Sequence, residues 1–231
     1  MFVTFTVAKY SGRKILYGFL SMAIFRFLLF FNKSGIVFSK LMGSGKNGTF
    51  DIEPDLEQWA YLWVWENEST YNDFVKNSLV SKYIQKFAFE NFTLFLQPIQ
   101  SHGFWDKKKP FENDKENEFK ENEPIVVLTR ASIRPHKAAD FWRNVPAIAQ
   151  NFAQNEGFLY SIGVGEIPFF KQATLSVWQT EKLMKEFAYR RIEHSEVIKK
   201  TRSQQWYSEE LFARFRLVGY TGKVPFSITD L

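Results

Sequence analysis

The sequence predicts an α+β fold made of two ferredoxin-like repeats, and three observations predict it. Short motifs recur in the same order in both halves. Gly35-Ile-Val-Phe38-Ser39 followed by Gly43 reappears as Gly157-Phe-Leu-Tyr160-Ser161 followed by Gly165, and Val64-Trp65 with Phe74 reappears as Val177-Trp178 with Phe187. Each half also reads strand, helix, strand, strand, helix, strand from its hydrophobic periodicity. Between them, residues 106–123 (DKKKPFENDKENEFKENE) hold two phenylalanines among eighteen mostly charged positions, too few to bury a core. The division is therefore a first repeat over 1–105, a charged linker or loop over 106–123, and a second repeat over 124–231. The element order gives each repeat a four-stranded antiparallel sheet with two helices on one face, and two such sheets can pack face to face.

In the first repeat the stretch Ile15–Phe31, ILYGFLSMAIFRFLLFF, follows Lys9, Arg13 and Lys14. It spans only 17 residues, contains Arg26 and has no small-residue cleavage site after it, so it reads as a buried helix rather than a membrane anchor. In the second repeat, Ile125–Thr129 is a β-branched run, Pro135–Phe152 has helical spacing, and Gly157–Val164 and Ala173–Trp178 read as strands. Thr180 is the expected N-cap of a helix carrying Leu183, Met184, Phe187 and Ala188. Leu211 and Phe215, four apart, predict a short helix after Ser208, with Trp206 and Tyr207 in the turn before it.

Composition limits the chemistry. The 231 residues contain no cysteine, which excludes disulfides, thiolate metal sites and cysteine nucleophiles, so any metal is held by histidine or carboxylate. Aromatic residues make up 18% of the chain, 26 of them phenylalanine, more rigid apolar surface than a core of this size needs. A long apolar ligand pocket or a membrane-facing patch would use the excess, and a Phe-rich core is the plainer alternative. The net charge of +5 is spread among acidic residues, a mild bias toward membrane surfaces and not a nucleic-acid signal. The expected location is cytoplasmic, peripheral to a membrane at most.

The three histidines can be weighed singly. His194 lies in a helical run with Val197, Ile198, Thr201 and Arg202 at i+3, i+4, i+7 and i+8, so one face offers an imidazole, two aliphatic groups, a hydroxyl and a cation. A haem site uses such a face, but on spacing alone a solvated histidine between Glu193 and Glu196 is the simpler reading. His136 follows Pro135 at a helix start and His102 sits in the turn-like Gln100-Ser-His-Gly103; neither has ligand-like neighbours. Gly43-Ser-Gly-Lys46 lacks the leading glycine and the Ser/Thr of a phosphate loop, since Lys40 and Asn47 stand there. No GxSxG, HExxH or dinucleotide fingerprint occurs, which removes support for hydrolase, zinc-protease and nicotinamide readings. Glu209-Glu210 are expected to favour a helix N-terminus.

The second repeat carries more specific blocks. Leu128-Thr-Arg-Ala-Ser-Ile-Arg134, Phe141-Trp-Arg-Asn-Val-Pro146, Ser161-Ile-Gly-Val-Gly-Glu-Ile-Pro168, Gln172-Ala-Thr-Leu-Ser-Val-Trp178, Phe187-Ala-Tyr189, His194 and the run Trp206–Phe215 together resemble the spheroidene monooxygenase family of carotenoid biosynthesis. They span about residues 124–222 in order, and the first repeat matches far more weakly.

The resemblance implies a dimeric α/β barrel fold, which agrees with the repeat reading. It further implies a haem b (iron) enzyme that uses molecular oxygen and a donor such as a ferredoxin to hydroxylate an acyclic carotenoid or similar long apolar substrate, in some members onward to a ketone. His194 is then the metal ligand, with Val197 and Ile198 over the porphyrin and Arg202 as propionate partner. Arg130 and Arg214 are candidate catalytic residues, by hydrogen bonding to bound oxygen or anchoring propionates. Trp178, Phe187, Trp206 and Phe212 line the haem or substrate tunnel, core packing being the equal alternative. Two other readings stay open: an aldoxime dehydratase-like haem enzyme, and a haem- or pigment-binding protein without turnover.

Overall fold

Apolar and polar residues alternating with a period of two form strands, and helical spacing between them sets the connections. The computed structural model describes residues 1–31, 35–46, 53–112, 122–149, 155–190 and 206–227. In chain order these form β1 (Phe2–Lys9), α1 (Ile15–Phe31), β2 (Ile36–Gly45), β3 (Pro54–Trp65), α2 (Glu68–Asn77), α3 (Leu79–Phe87), β4 (Glu90–Gly103), β5 (Ile125–Ile133), α4 (Ala138–Ala149), β6 (Phe158–Ile167), β7 (Lys171–Trp178), α5 (Glu181–Arg190) and β8 (Tyr207–Gly222).

The strands close into one antiparallel barrel in the order β1-β3-β2-β6-β7-β5-β8-β4. Each half contributes four adjacent strands, so the fold is the α+β, dimeric α/β barrel type, with closure replacing two stacked sheets. Its two seams differ. Strands β4 and β8 pair from Phe92↔Gly222 to Gly103↔Leu211, whereas β2 and β6 share only Gly43↔Gly165 and Ser44↔Val164.

One apolar cluster fills the barrel interior, with Val3, Phe5, Leu62, Leu94, Val126, Leu128, Leu175 and Phe215 among its members. In the first half the outer wall is as heavily packed. Trp59, Tyr61, Trp63 and Trp65 alternate along β3 and face the helices, with Phe25 of α1 5.2 Å from the Tyr61 ring and Phe74 of α2 4.9 Å from Trp65. Helix α1 approaches closely at Gly18, where a Cβ would stand 2.4 Å from Trp59 Nε1. Ser21 ties the same turn to the wall by a 2.8 Å hydrogen bond with the Tyr61 hydroxyl. Burial pushes the Tyr10 hydroxyl up to about 12, outweighing the hydrogen bond with Tyr61 that lowers it, so it stays a neutral partner of Tyr61.

Three expectations are corrected. The stretch after Ser208 is strand β8, not a helix: Leu211, Ala213, Phe215 and Leu217 alternate into the barrel, and a spacing of four satisfies the strand period as well as the helical one. Glu209 and Glu210 therefore point to opposite faces of a strand and cap nothing. His102 is likewise in β4, paired with Phe212, not in a turn. The charged segment 106–123 does not begin as a free linker, because Trp105 and Lys108 form a tight bridge at the barrel mouth and Phe111 packs 4.9 Å from Phe215 inside the barrel.

Candidate functional site

The two halves are superimposable in register, and the difference between them locates a site. Val64-Trp65 of β3 pairs with β2 as Val177-Trp178 of β7 pairs with β6: Phe38↔Val64 and Ser39↔Trp63 match Tyr160↔Val177 and Ser161↔Ser176. Reading outward-facing residues along each strand, Trp65, Trp63, Tyr61 and Trp59 in the first half become Trp178, Ser176, Thr174 and Gln172 in the second. Three large rings are thus replaced by two hydroxyls and an amide. The neighbouring strands keep this face shallow, with Ala131 and Thr129 on β5 and Gly163 and Gly165 on β6.

The polar atoms on this face are under-used. Thr174 Oγ1 is buried and makes no hydrogen bond among the described residues, although its first-half counterpart Tyr61 is fully bonded. Thr129 is exposed, whereas its counterpart Thr6 is buried and bonded to Thr93 at 2.8 Å. Arg214 lies on the same outer face. Its Nη1 donates to Glu181 Oε1 at 3.3 Å and its guanidinium lies 5.3 Å from the Phe212 ring, but its buried Nε has no partner among the described residues. On the same face Ser176 Oγ accepts from Trp178 and Gln172 donates to the Ile167 carbonyl, and the first-half wall likewise leaves Trp63 Nε1 without a partner among the described residues.

Apolar clusters bound the face at both ends. At one, Trp178 packs 4.9 Å from Phe187 and 5.4 Å from Phe158, with Met184, Ile125 and Val127 alongside; Trp178 Nε1 donates to Ser176 Oγ at 3.0 Å. Thr180 Oγ1 accepts from Leu183 N at 3.2 Å and so caps α5, as its sequence position predicts. At the other end, Trp206 is buried against Phe141 and Ile133. Hence Trp178 and Phe187 stand together, Trp206 stands apart from them, and Arg214 faces the space between strand and α5.

Arg130 is elsewhere. It replaces the position of Val7 in the first half and points into the barrel, its side chain 1% exposed. It ion-pairs with Glu209 and lies 3.5 Å from Asp106 and 3.6 Å from Glu166. Lys40 bonds to Asp106 and to Glu166 (2.6 Å), Lys171 to Asp106 (2.7 Å), and Trp105 Nε1 donates to Glu166 at 2.7 Å. Glu209 also accepts from the backbone N–H groups of Asp106 and Lys107 at 2.8 and 2.7 Å, which holds both residues at left-handed φ values of 50° and 63°. Partial burial opposes ionisation of Asp106, but Lys171 and Lys40 overcome it and hold the carboxyl at about 2. Glu209 is lowered in the same way, burial being outweighed by the two backbone N–H groups and Arg130. Arg130 and Arg214 thus occupy opposite faces of the sheet and cannot serve one site together. The signal sequence reading missed was the register of β8: Arg130 aligns with Leu211 and Val127 with Arg214, which separates the two arginines.

His194, Val197, Ile198 and Arg202 lie outside the described residues. His102 is exposed on β4, 5.2 Å from the Phe212 ring, and His136 is exposed at the turn before α4. No group of three or more potential metal ligands occurs among the described residues.

No family model matches the chain. Spheroidene monooxygenase of Rhodobacter capsulatus is 38% identical over 187 residues, covering 81% of this chain and 78% of that protein. The chain belongs to the spheroidene monooxygenase family. The family member from Cereibacter sphaeroides is 40% identical over 187 residues and 80% of this chain, which spans 57% of that longer relative. A third, from Rubrivivax gelatinosus, is 31% identical over 186 residues. Among solved structures, an aldoxime dehydratase matches with a TM-score of 0.64 at 9% identity over 97% of this chain and 85% of that one. Another aldoxime dehydratase, crystallised with butyraldoxime, matches with a TM-score of 0.54 at 10% identity over 94% and 79%. At these identities the likeness is one of fold, and it extends over both halves of the family's barrel.

Proposed function

We propose that this chain is a haem-dependent monooxygenase that hydroxylates an acyclic carotenoid or a similarly long apolar substrate, and can carry the same carbon on to a ketone. Membership of the spheroidene monooxygenase family supports the reaction class. The observation that supports the cofactor is the replacement of Trp63, Tyr61 and Trp59 by Ser176, Thr174 and Gln172, which leaves a flat cradle where the other half has rings. The residues present fit a haem: the face is shallow, its ends are aromatic, and Thr174 Oγ1 and Arg214 Nε are donors at a buried wall with no partner among the described residues.

In this reading His194 would hold the iron, Val197 and Ile198 would supply apolar contact to the porphyrin, and Arg202 and Arg214 would pair with propionates. Bound haem would supply an iron centre that activates molecular oxygen with electrons from a donor such as a ferredoxin. The chain's own residues do the rest. Trp178 and Phe187 close one end of the cradle and exclude water, Trp206 with Phe141 closes the other, and Glu181 fixes the Arg214 guanidinium. Arg130 has no part in it, being committed to the barrel-mouth ion cluster on the other face.

An absorption spectrum of the pure protein, expressed with adequate haem supply, tests the cofactor. A Soret band that His194→Ala abolishes is the expected result; a colourless protein that takes up no added hemin overturns the reading. Product analysis in a lycopene-producing host then separates a hydroxylase from a pigment binder.

A further inference from the structure

Helix α1 turns the usual surface helix inside out. Its inner stripe, Gly18, Ser21, Phe25 and Leu29, is buried against the barrel. Its outer stripe, at the i, i+3, i+4 spacing of one helical face, should be polar in a helix bathed by water. It reads instead Leu16, Phe19, Leu20, Ala23, Arg26, Phe27, Phe30 and Phe31, with Phe27, Phe30 and Phe31 being 64%, 73% and 70% exposed. Phe27 and Phe31 stack edge to face at 4.8 Å, and Leu79 at the start of α3, 64% exposed, flanks a groove beside Phe31. A contiguous patch of this kind on one side of a barrel marks a contact surface.

The charge beside it selects the partner. Over the whole chain lysines and arginines are mixed with acids, but residues 1–50 hold seven lysines and arginines and no aspartate or glutamate. Lys9, Arg13 and Lys14 stand exposed at the N-terminal end of α1 and Arg26 is exposed within the apolar stripe. We infer that the outer face of α1 docks on an anionic lipid bilayer, its phenylalanines in the acyl boundary and its cations among the headgroups.

Two other occupants fit the same face less well. By length and composition Gly12–Phe31 is apolar enough to cross a membrane. Crossing, however, would strip α1 from the aromatic wall of β3, breaking the Ser21–Tyr61 hydrogen bond and the Phe25 contacts to Tyr61 and Tyr83. The helix therefore lies flat in the interface. A second copy placed face to face about a two-fold axis would set Arg26 near its equivalent, with no acid on α1 to pair either. The inference does not depend on what group fills the second-half cradle.

Vesicle co-sedimentation of the full chain tests it. Binding to phosphatidylcholine vesicles containing phosphatidylglycerol should exceed binding to phosphatidylcholine alone, and should fall as salt rises from about 0.1 M to 1 M and the screening length shrinks from about 10 Å to 3 Å. Phe27→Ser/Phe30→Ser/Phe31→Ser should lower vesicle affinity at least about tenfold, while Phe169→Ser/Phe170→Ser, exposed aromatics of the β6–β7 turn, should leave it unchanged. Arg13→Gln/Lys14→Gln/Arg26→Gln should remove the preference for phosphatidylglycerol and keeps the test intact if the serine variant misfolds. Wild-type protein that stays in the supernatant with anionic vesicles overturns the inference, as does a wild-type dimer that the serine variant converts to a monomer.

Discussion

Ser176 stands on β7 where Trp63 stands on β3, each one position before the valine and tryptophan that begin the shared register with the neighbouring strand. A duplicated fold with identical pairing has here been given a full wall in one half and a shallow one in the other. Packing explains the first choice, since Trp63 is 2% exposed between Tyr61, Trp65 and Phe74. In the second half no large ring fills that space, and the buried Thr174 hydroxyl beside Ser176 has no partner among the described residues.

That contrast predicts opposite outcomes for reciprocal substitutions. Ser176→Trp should fill the cradle and abolish haem uptake, read as loss of the Soret band on hemin titration, while far-UV circular dichroism stays that of the wild type. Trp63→Ser should open a cavity in the structural half and cost about 3–5 kcal/mol in denaturant unfolding, with hemin uptake retained. If both variants lose haem and stability alike, the two faces are not functionally distinct.

Much of this arrangement was legible in the sequence. The repeated Gly-x-x-Phe/Tyr-Ser and Val-Trp motifs placed β2, β3, β6 and β7 because strand residues two apart share a face, and Thr180 marked the start of α5 because its short side-chain oxygen can accept from a first-turn N–H. What was not legible has a common cause. Leu211 and Phe215 satisfy periods of both two and 3.6 residues, and only pairing with β4 and β5 decides for a strand. Which face an arginine takes depends on one residue of register, so Arg130 and Arg214 read alike in sequence yet lie on opposite sides of the sheet. Asp106 opened a run of charges that looked solvated, and only the carboxylates and cations brought to the barrel mouth by β2, β5, β6, β7 and β8 gave it partners.

Arg130 should accordingly matter for folding and not for the cofactor. Arg130→Met removes the cation that Glu209, Glu166 and Asp106 share; these carboxylates are only partly buried and Lys40 and Lys171 stay with two of them, so the loss should be about 1–3 kcal/mol, below that of a fully buried pair. The unfolding free energy from urea titration should fall by that much, and the Soret maximum of haem-loaded protein should not move. Arg214→Ala should do the reverse, weakening hemin affinity with a smaller effect on stability, because Glu181 keeps Lys185 at 2.9 Å. A spectral shift in Arg130→Met would instead place Arg130 at the iron.

Gly18 gives a test of how α1 is seated. A Cβ there would stand 2.4 Å from Trp59 Nε1 and 2.8 Å from Trp59 Cδ1, in a wall with no slack on its inner side. Gly18→Val should destabilise the protein by about 1–3 kcal/mol through overpacking, measured by thermal unfolding, and should raise the proteolytic susceptibility of the first fifty residues. An unchanged melting temperature would mean that α1 rides loosely on β3.

The acid limb of stability should report the barrel-mouth cluster. Asp106 is held at about 2 against an ordinary value of 3.8, and Glu209 is also depressed. A carboxyl with a lowered folded-state pKa contributes stability in full above its unfolded value and loses it as pH falls through the folded one. The contribution of Asp106 should therefore be complete above about pH 4 and vanish toward pH 2, in the window its two values define. Asp106→Asn should be less stable than wild type at neutral pH, with the two unfolding curves converging as pH approaches 2. Because Asp106 is 39% exposed, solvent screening keeps the difference well below that of a buried pair. Curves that run parallel across the whole acid range would show that Lys40 and Lys171 do not stabilise the charged form of Asp106, and that the turn at Asp106–Lys107 is held by the backbone bonds to Glu209 alone.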